Sequence, residues 1–170
     1  MQQTLDLTDF VDTLDSVFES AVKSTLGNGM GSEEQIVTYE LAMGKADLYA
    51  AKTLSAYANS NAADGSIECR LGNIGCVQAA FDLKTRLEKV CVTAGINPEP
   101  LHQAFASSDL SRLLNSQNIE SLGRLIADQH SFGKTVLTED QQMIADNIFR
   151  FAEEIVLPLA CLLYTSDAAD

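Results

Sequence analysis

The residues able to do chemistry in this chain are few. There are four cysteines (Cys69, Cys76, Cys91 and Cys161), two histidines (His102 and His130) and a surplus of carboxylates. Zinc is held by thiolates and imidazoles that arrive in close pairs, such as Cys-x-x-Cys. No two cysteines stand at that spacing, and both histidines lie far from the cysteines in sequence. The cysteines therefore read as small buried hydrophobes, kept as free thiols in a reducing compartment. "GNGMG" (Gly27 to Gly31) departs from the Gly-x-Gly-x-x-Gly spacing that cradles phosphates, and no strand pattern precedes it. It reads as a helix C-cap followed by a turn. Glu153 and Glu154 are adjacent carboxylates on one helical pattern, which reads as a solvated face. No nucleophile triad or ligand spacing supports a hydrolase or a metal enzyme within 1–136. No catalytic, cofactor-binding or metal-ligating residue is assigned in this chain.

Composition narrows the classes further. A chain of 170 residues, 46% hydrophobic and 21% charged, has room for one ordinary domain with a core. Trp is absent and Pro occurs three times, a mix that favours helix. The formal net charge is −13. A protein that grips phosphates needs a basic surface, so nucleic acid is excluded as a partner. The acidic balance also argues against anionic membrane surfaces. The N-terminus lacks the pattern of a signal peptide, and no apolar run is long enough for a membrane span. A cytoplasmic location is expected.

The elements that would position any site are helical. Leu7 to Leu26 carries Leu7, Phe10, Val11, Leu14, Val17, Phe18, Ala21 and Val22 at three–four spacing. Ser32 and Gln35 form a capping box, and a long helix is expected from there to about Asn59. That helix is apolar nearly all round, with Val37, Leu41, Leu48, Ala51 and Leu54 on one side and Tyr39, Met43, Ala46 and Ala50 on another. It should be central and buried on several sides. "NAADGS" makes a turn, and a third helix spans about Ser66 to Ala94. Gly72 and Gly75 share one of its faces. Each weakens the helix by about 1 kcal/mol relative to Ala, which makes sense if another backbone comes close there. Gly95 stops the helix. Asn97 as N-cap and Pro98 at the first helical position restart the chain. Shorter helices follow around 98–106, 109–116 and 118–130. The expected fold class is all-α: an antiparallel helix bundle with short satellite helices over 1–130. Residues 131–136 form a linker within "DQHSFGKTV". A fresh helix then starts at a Thr138–Gln141 capping box, with Ile144, Ile148, Phe151, Ile155 and Leu159 on one face.

Residues 137–160, "LTEDQQMIADNIFRFAEEIVLPLA", resemble the opening helix of the acyl-CoA dehydrogenase flavoprotein family. The matches are Leu137, Thr138, Glu139, Gln141, Arg150, Phe151, Ala152, Glu153, Glu154, Pro158 and Ala160. One acidic position of the family pattern is missing, because Ile155 follows Glu154 directly. Pro158 lacks an amide donor and disfavours helix at Leu157, so a kink or early stop is expected there. The resemblance implies a parent enzyme that uses FAD to remove two hydrogens from the α and β carbons of an acyl-CoA thioester. It further implies an electron-transfer partner. The family's flavin and thioester contacts come mostly from a β domain and a C-terminal helical bundle. The resemblance therefore implies that 137–160 starts a truncated helical domain, with no FAD held by this piece. Residues 1–130 become an N-terminal helical extension. Its open roles are homo-oligomer contact, a lid over the acyl site, or docking to the electron-transfer partner.

The final stretch, "CLLYTSDAAD" (161–170), has no heptad, cap or turn logic. It can be back-translated to a string that resembles a sequencing-library adapter, so it is expected to be foreign to the protein. A competing reading makes the chain a self-contained helical interaction or oligomerisation module without enzymatic activity, with 137–160 its last helix.

Overall fold

A computed structural model of the chain describes residues 6–29, 35–60, 65–106, 108–133 and 137–160. Among them every regular element is helical, as the sequence requires. The chain divides into two units, with the boundary between Gly133 and Lys134. The first unit carries α1 (Thr8–Gly27), α2 (Gln35–Ser60), α3 (Ile67–Ala94), α4 (Glu99–Ala104), α5 (Ser108–Leu113) and α6 (Ser116–Gln129). The second carries α7 (Glu139–Phe151), which runs on through a π-helical turn at Ala152–Val156.

The core of the first unit is an up-down-up arrangement of α1, α2 and α3. Buried positions on α2 recur with a seven-residue period: Val37, Gly44, Ala51 and Ala58, with Leu48 and Ser55 between them. On α3 the matching set is Cys69, Cys76, Leu83 and Val90, with Asn73, Ala80, Leu87 and Ala94 between. Two such seams pack as in a coiled coil. The pair is antiparallel, since Ala58 near the end of α2 meets Gly72 near the start of α3. A Cβ on Gly72 would stand 2.8 Å from the Ala58 Cβ and 2.9 Å from the Leu54 carbonyl oxygen. The glycine expected to admit a close backbone does so. Gly75 differs, because its nearest neighbour is the end of the flexible Leu54 side chain.

α1 lies along the seam, with Leu7 and Val11 packed against Ala51, Cys76 and Val77. Leu14, Phe18 and Ala21 pack with Leu48, Leu83 and Leu87. Phe18 fits over Gly44, which leaves space for its ring. α1 runs alongside α3, as Asn28 Nδ2 donates to the Ala94 carbonyl at 3.0 Å. Phe105, just past α4, wedges between Phe10 and Phe81, with ring centroids 5.3 and 5.2 Å away. These tilted contacts fasten the satellite helices to the bundle. Arg70 holds α6 by donating to the Asn118 carbonyl at 3.0 Å and to Ser121 Oγ at 2.6 Å.

The ends follow local chemistry. Ser66 accepts the Cys69 amide at 3.1 Å, and Gly95 closes α3 with φ of 64°. The left-handed residue after α1 is Gly29. α4 begins one residue later than the sequence suggests, with Pro98 in the cap place; Asn97 Oδ1 still accepts the Glu99 amide at 3.1 Å. The capping box at Ser32 and the segment 161–170 lie outside the described residues.

One expectation about α2 is overturned. It is buried on one side only: Tyr39 is 60% exposed, Tyr49 72% and Ile36 73%. Its apolar composition counts two faces, but the hairpin with α3 and the groove of α1 both use the same one.

In the second unit the capping box forms in both directions: Thr138 N donates to Gln141 Oε1 at 3.0 Å, and Gln141 N to Thr138 Oγ1 at 3.3 Å. The early stop at Leu157 does not occur, since its φ of −62° and ψ of −43° are helical. The Leu157 amide donates five residues back, to the Ala152 carbonyl. This wider turn lies just before Pro158, whose missing donor and bulky ring disturb the normal ladder. No residue of α7 is buried, and Ile144, Ile148, Phe151, Ile155 and Leu159 all stand open.

Candidate functional site

The densest polar cluster joins α2 to α3. Glu40 Oε1 accepts from Lys89 Nζ at 2.9 Å, and its Oε2 accepts from Arg86 at 2.9 Å. Arg86 Nε also donates to Asp47 Oδ2 at 2.7 Å. The Lys89 ammonium, and then the Arg86 guanidinium, hold the Glu40 carboxyl below the usual carboxylate range. Asp47, and then Glu40, push Arg86 up. A carboxylate so strongly paired is a poor proton acceptor, and an arginine so paired is not free to bind an anion. The quartet is an interhelix clamp that fixes register.

The clamp carries a pH signature. Because the Glu40 pKa is lower folded than unfolded, its contribution is present above the ordinary glutamate value and is lost as pH falls through the folded one. Urea titrations of wild type and Glu40→Gln are therefore expected to show wild type more stable near neutrality, with the gap closing below about pH 4. A gap that persists unchanged in acid contradicts the clamp.

The sequence-level candidates are scattered. Cys69, Cys76 and Cys91 are buried thiols outside any disulfide. Burial pushes the Cys76 thiol up to about 11, so it stays protonated and unreactive at neutral pH. Burial, and then Glu88, raise Cys91 as well. His102 Nε2 lies 3.4 Å from Glu88 on the surface, and His130 caps α6 in a left-handed conformation. Glu153 and Glu154 stand exposed on the π-helical turn. Among the described residues no three groups converge as metal ligands.

Clefts lined by described residues include two of measurable volume. One of about 270 Å³ lies between α1 and α2, lined by Thr8, Asp12, Lys52 and Asn59 among others. Its Lys52 is already paired to Asp15 at 2.8 Å, and Asn59 donates to Thr8 at 3.0 Å. The other, about 40 Å³ beside Cys91, holds little more than a water. Cofactor pockets need roughly 300–1,000 Å³ with converging free polar groups. Neither cleft supplies both.

What remains is surface. The face of α2 turned away from the core presents Tyr39, Ala42, Ala46, Tyr49, Thr53 and Ala56, all exposed. Every charged residue of α2 is directed elsewhere. Glu40 and Asp47 bind α3, while Lys45 and Lys52 bind Asp15 and Glu19 of α1. Sequence reading noticed the second apolar side but buried it. It missed the clamp, whose signal was the seven-residue spacing of Glu40 and Asp47 on the edge of the seam. No protein-family model and no curated protein matches this chain.

Proposed function

We propose that the chain is the N-terminal part of an acyl-CoA dehydrogenase-like flavoenzyme. Residues 137–160 open its N-terminal helical domain, and residues 1–130 are a helical extension without catalytic groups. The observation that carries this reading is the 137–160 helix. It bears the Arg-Phe-Ala-Glu-Glu and Pro-Leu-Ala residues, starts at a complete capping box and carries an exposed apolar face. An amphipathic helix of that kind is made to be covered. The parent would use FAD to dehydrogenate an acyl-CoA thioester and pass electrons to a partner. Neither of the two clefts described above fits FAD in size and free polar groups. The described residues are accordingly given no step in that reaction.

The test is the uninterrupted reading frame, expressed and purified. The expected product is yellow, with one FAD per chain, and reduces a dye when given acyl-CoA; residues 1–160 alone are expected to bind no flavin. A frame that closes soon after residue 160 overturns this reading. Stoichiometric flavin in 1–160 contradicts the placement of the site.

A second reading is favoured by the open face of α2: the first unit is a helical interaction module in its own right. Exposed aromatic residues on a face free of charge are a mark of a docking surface.

A further inference from the structure

The uncharged face of α2 is built to meet its own copy. Four exposed residues along it, Tyr39, Ala42, Ala46 and Tyr49, read the same from either end. A twofold interface demands this self-complementarity, since whatever residue i touches must be touched in return. Lay two α2 helices antiparallel with the axis level with residue 44. Ala42 then faces the partner's Ala46, and Tyr39 lies level with the partner's Tyr49. The alanines let the backbones approach, and the tyrosines flank the crossing with large, stiff contact area.

Charge points the same way. Each copy carries a formal net charge of −13, so two copies repel over most of their surfaces. The α2 face is where that repulsion is least. No acid lies on it, and the charges at its edges are neutralised within the chain by α1 and α3. The geometry points to a homodimer formed by antiparallel packing of α2 on α2 across Ala42 and Ala46. This rests on the reading of the first unit as an interaction module and is independent of the flavoprotein reading.

Sedimentation equilibrium of the full chain tests it. Wild type is expected to show a concentration-dependent monomer–dimer equilibrium. Ala46→Glu buries an unpaired charge at the crossing and is expected to raise the dimer Kd by about tenfold or more. The double variant Ala42→Glu with Ala46→Lys places opposite charges on facing residues and is expected to regain most of the loss. Both sites are exposed on a helix, so circular dichroism should be unchanged; Tyr49→Ser is a second, uncharged variant with the same expected direction. A monomer at every concentration, or a dimer indifferent to Ala46→Glu and Tyr49→Ser, overturns the proposal. So does a double variant no tighter than Ala46→Glu, because the register is then wrong. Nitration of Tyr39 and Tyr49 with tetranitromethane separates two kinds of failure. Rings that react fully in a monomeric sample reject the second copy and leave the face open to another partner. Rings protected in a monomeric sample show the face covered within its own chain, which rejects the interaction reading as well.

Discussion

Gly72→Val is expected to destabilise the first unit by about 3 kcal/mol, toward the upper end of the range for overpacking a tight contact. The reason is what the new atoms would strike. A Cβ at Gly72 lands 2.8 Å from the Ala58 Cβ and 2.9 Å from the Leu54 carbonyl oxygen. These atoms belong to the α2 backbone or its first carbon, so no side-chain rotation relieves the clash. The helices must separate, and the seam of Ala51, Cys76 and Ala58 opens with them. A valine also gives back part of the roughly 1 kcal/mol that glycine loses in a helix, which is too little to offset the separation. Gly75→Ala is the internal control. Its Cβ would meet Leu54 Cδ1 at 3.0 Å, the end of a side chain that can turn. That substitution is expected to fall within about 1 kcal/mol of neutral, because propensity and repacking oppose each other. Urea denaturation followed by circular dichroism decides both. A Gly72→Val chain as stable as wild type means that α2 and α3 do not approach as described.

Leu83→Ala is expected to destabilise by about 3 kcal/mol, within the 2–5 kcal/mol seen for such deletions. Leu83 is fully buried, at 0% exposure, where α1, α2 and α3 meet. Its Cδ1 lies 3.1 Å from where a Gly44 Cβ would be, and Phe18 closes the same spot from the other side. The cavity left behind is hard to collapse, because its walls are helix backbone and an aromatic ring. Against the 5–15 kcal/mol typical of a whole domain, this is a large fraction. Val92→Ala, on the solvent side of α3 and 85% exposed, is expected to change little beyond helix propensity. Equal losses at the two sites would refute the assignment of the core.

Much of this fold was legible in the residues. Three–four spacing marked α1, and Ser66 and Gly95 marked the limits of α3, because capping is a local exchange of hydrogen bonds. The Thr138–Gln141 box was readable for the same reason. Gly72 was readable as a close approach, since a glycine inside a helix weakens it and needs a reason. Of the candidate α2 face only the apolar character was legible, since exposure depends on which neighbours arrive. Of the kink or early stop expected near Leu157 the early stop is absent, because a proline predicts disturbance but not its form. A π-helical turn absorbs it ahead of Pro158, and the helix goes on.

The sequence by itself determined that this chain is helical and where most of its helices begin and end. Those properties follow from periodicity, caps and breakers within a few residues of one another. Only the tertiary structure decided which of the two apolar sides of α2 is core. A helix pattern says how many faces are apolar, while the number covered depends on how many neighbours arrive. Tertiary structure also decided that Glu40 and Asp47 meet Arg86 and Lys89, residues distant in sequence and joined only when the hairpin closes. With those charges drawn inward, the opposite face of α2 is left uncharged in a strongly acidic chain.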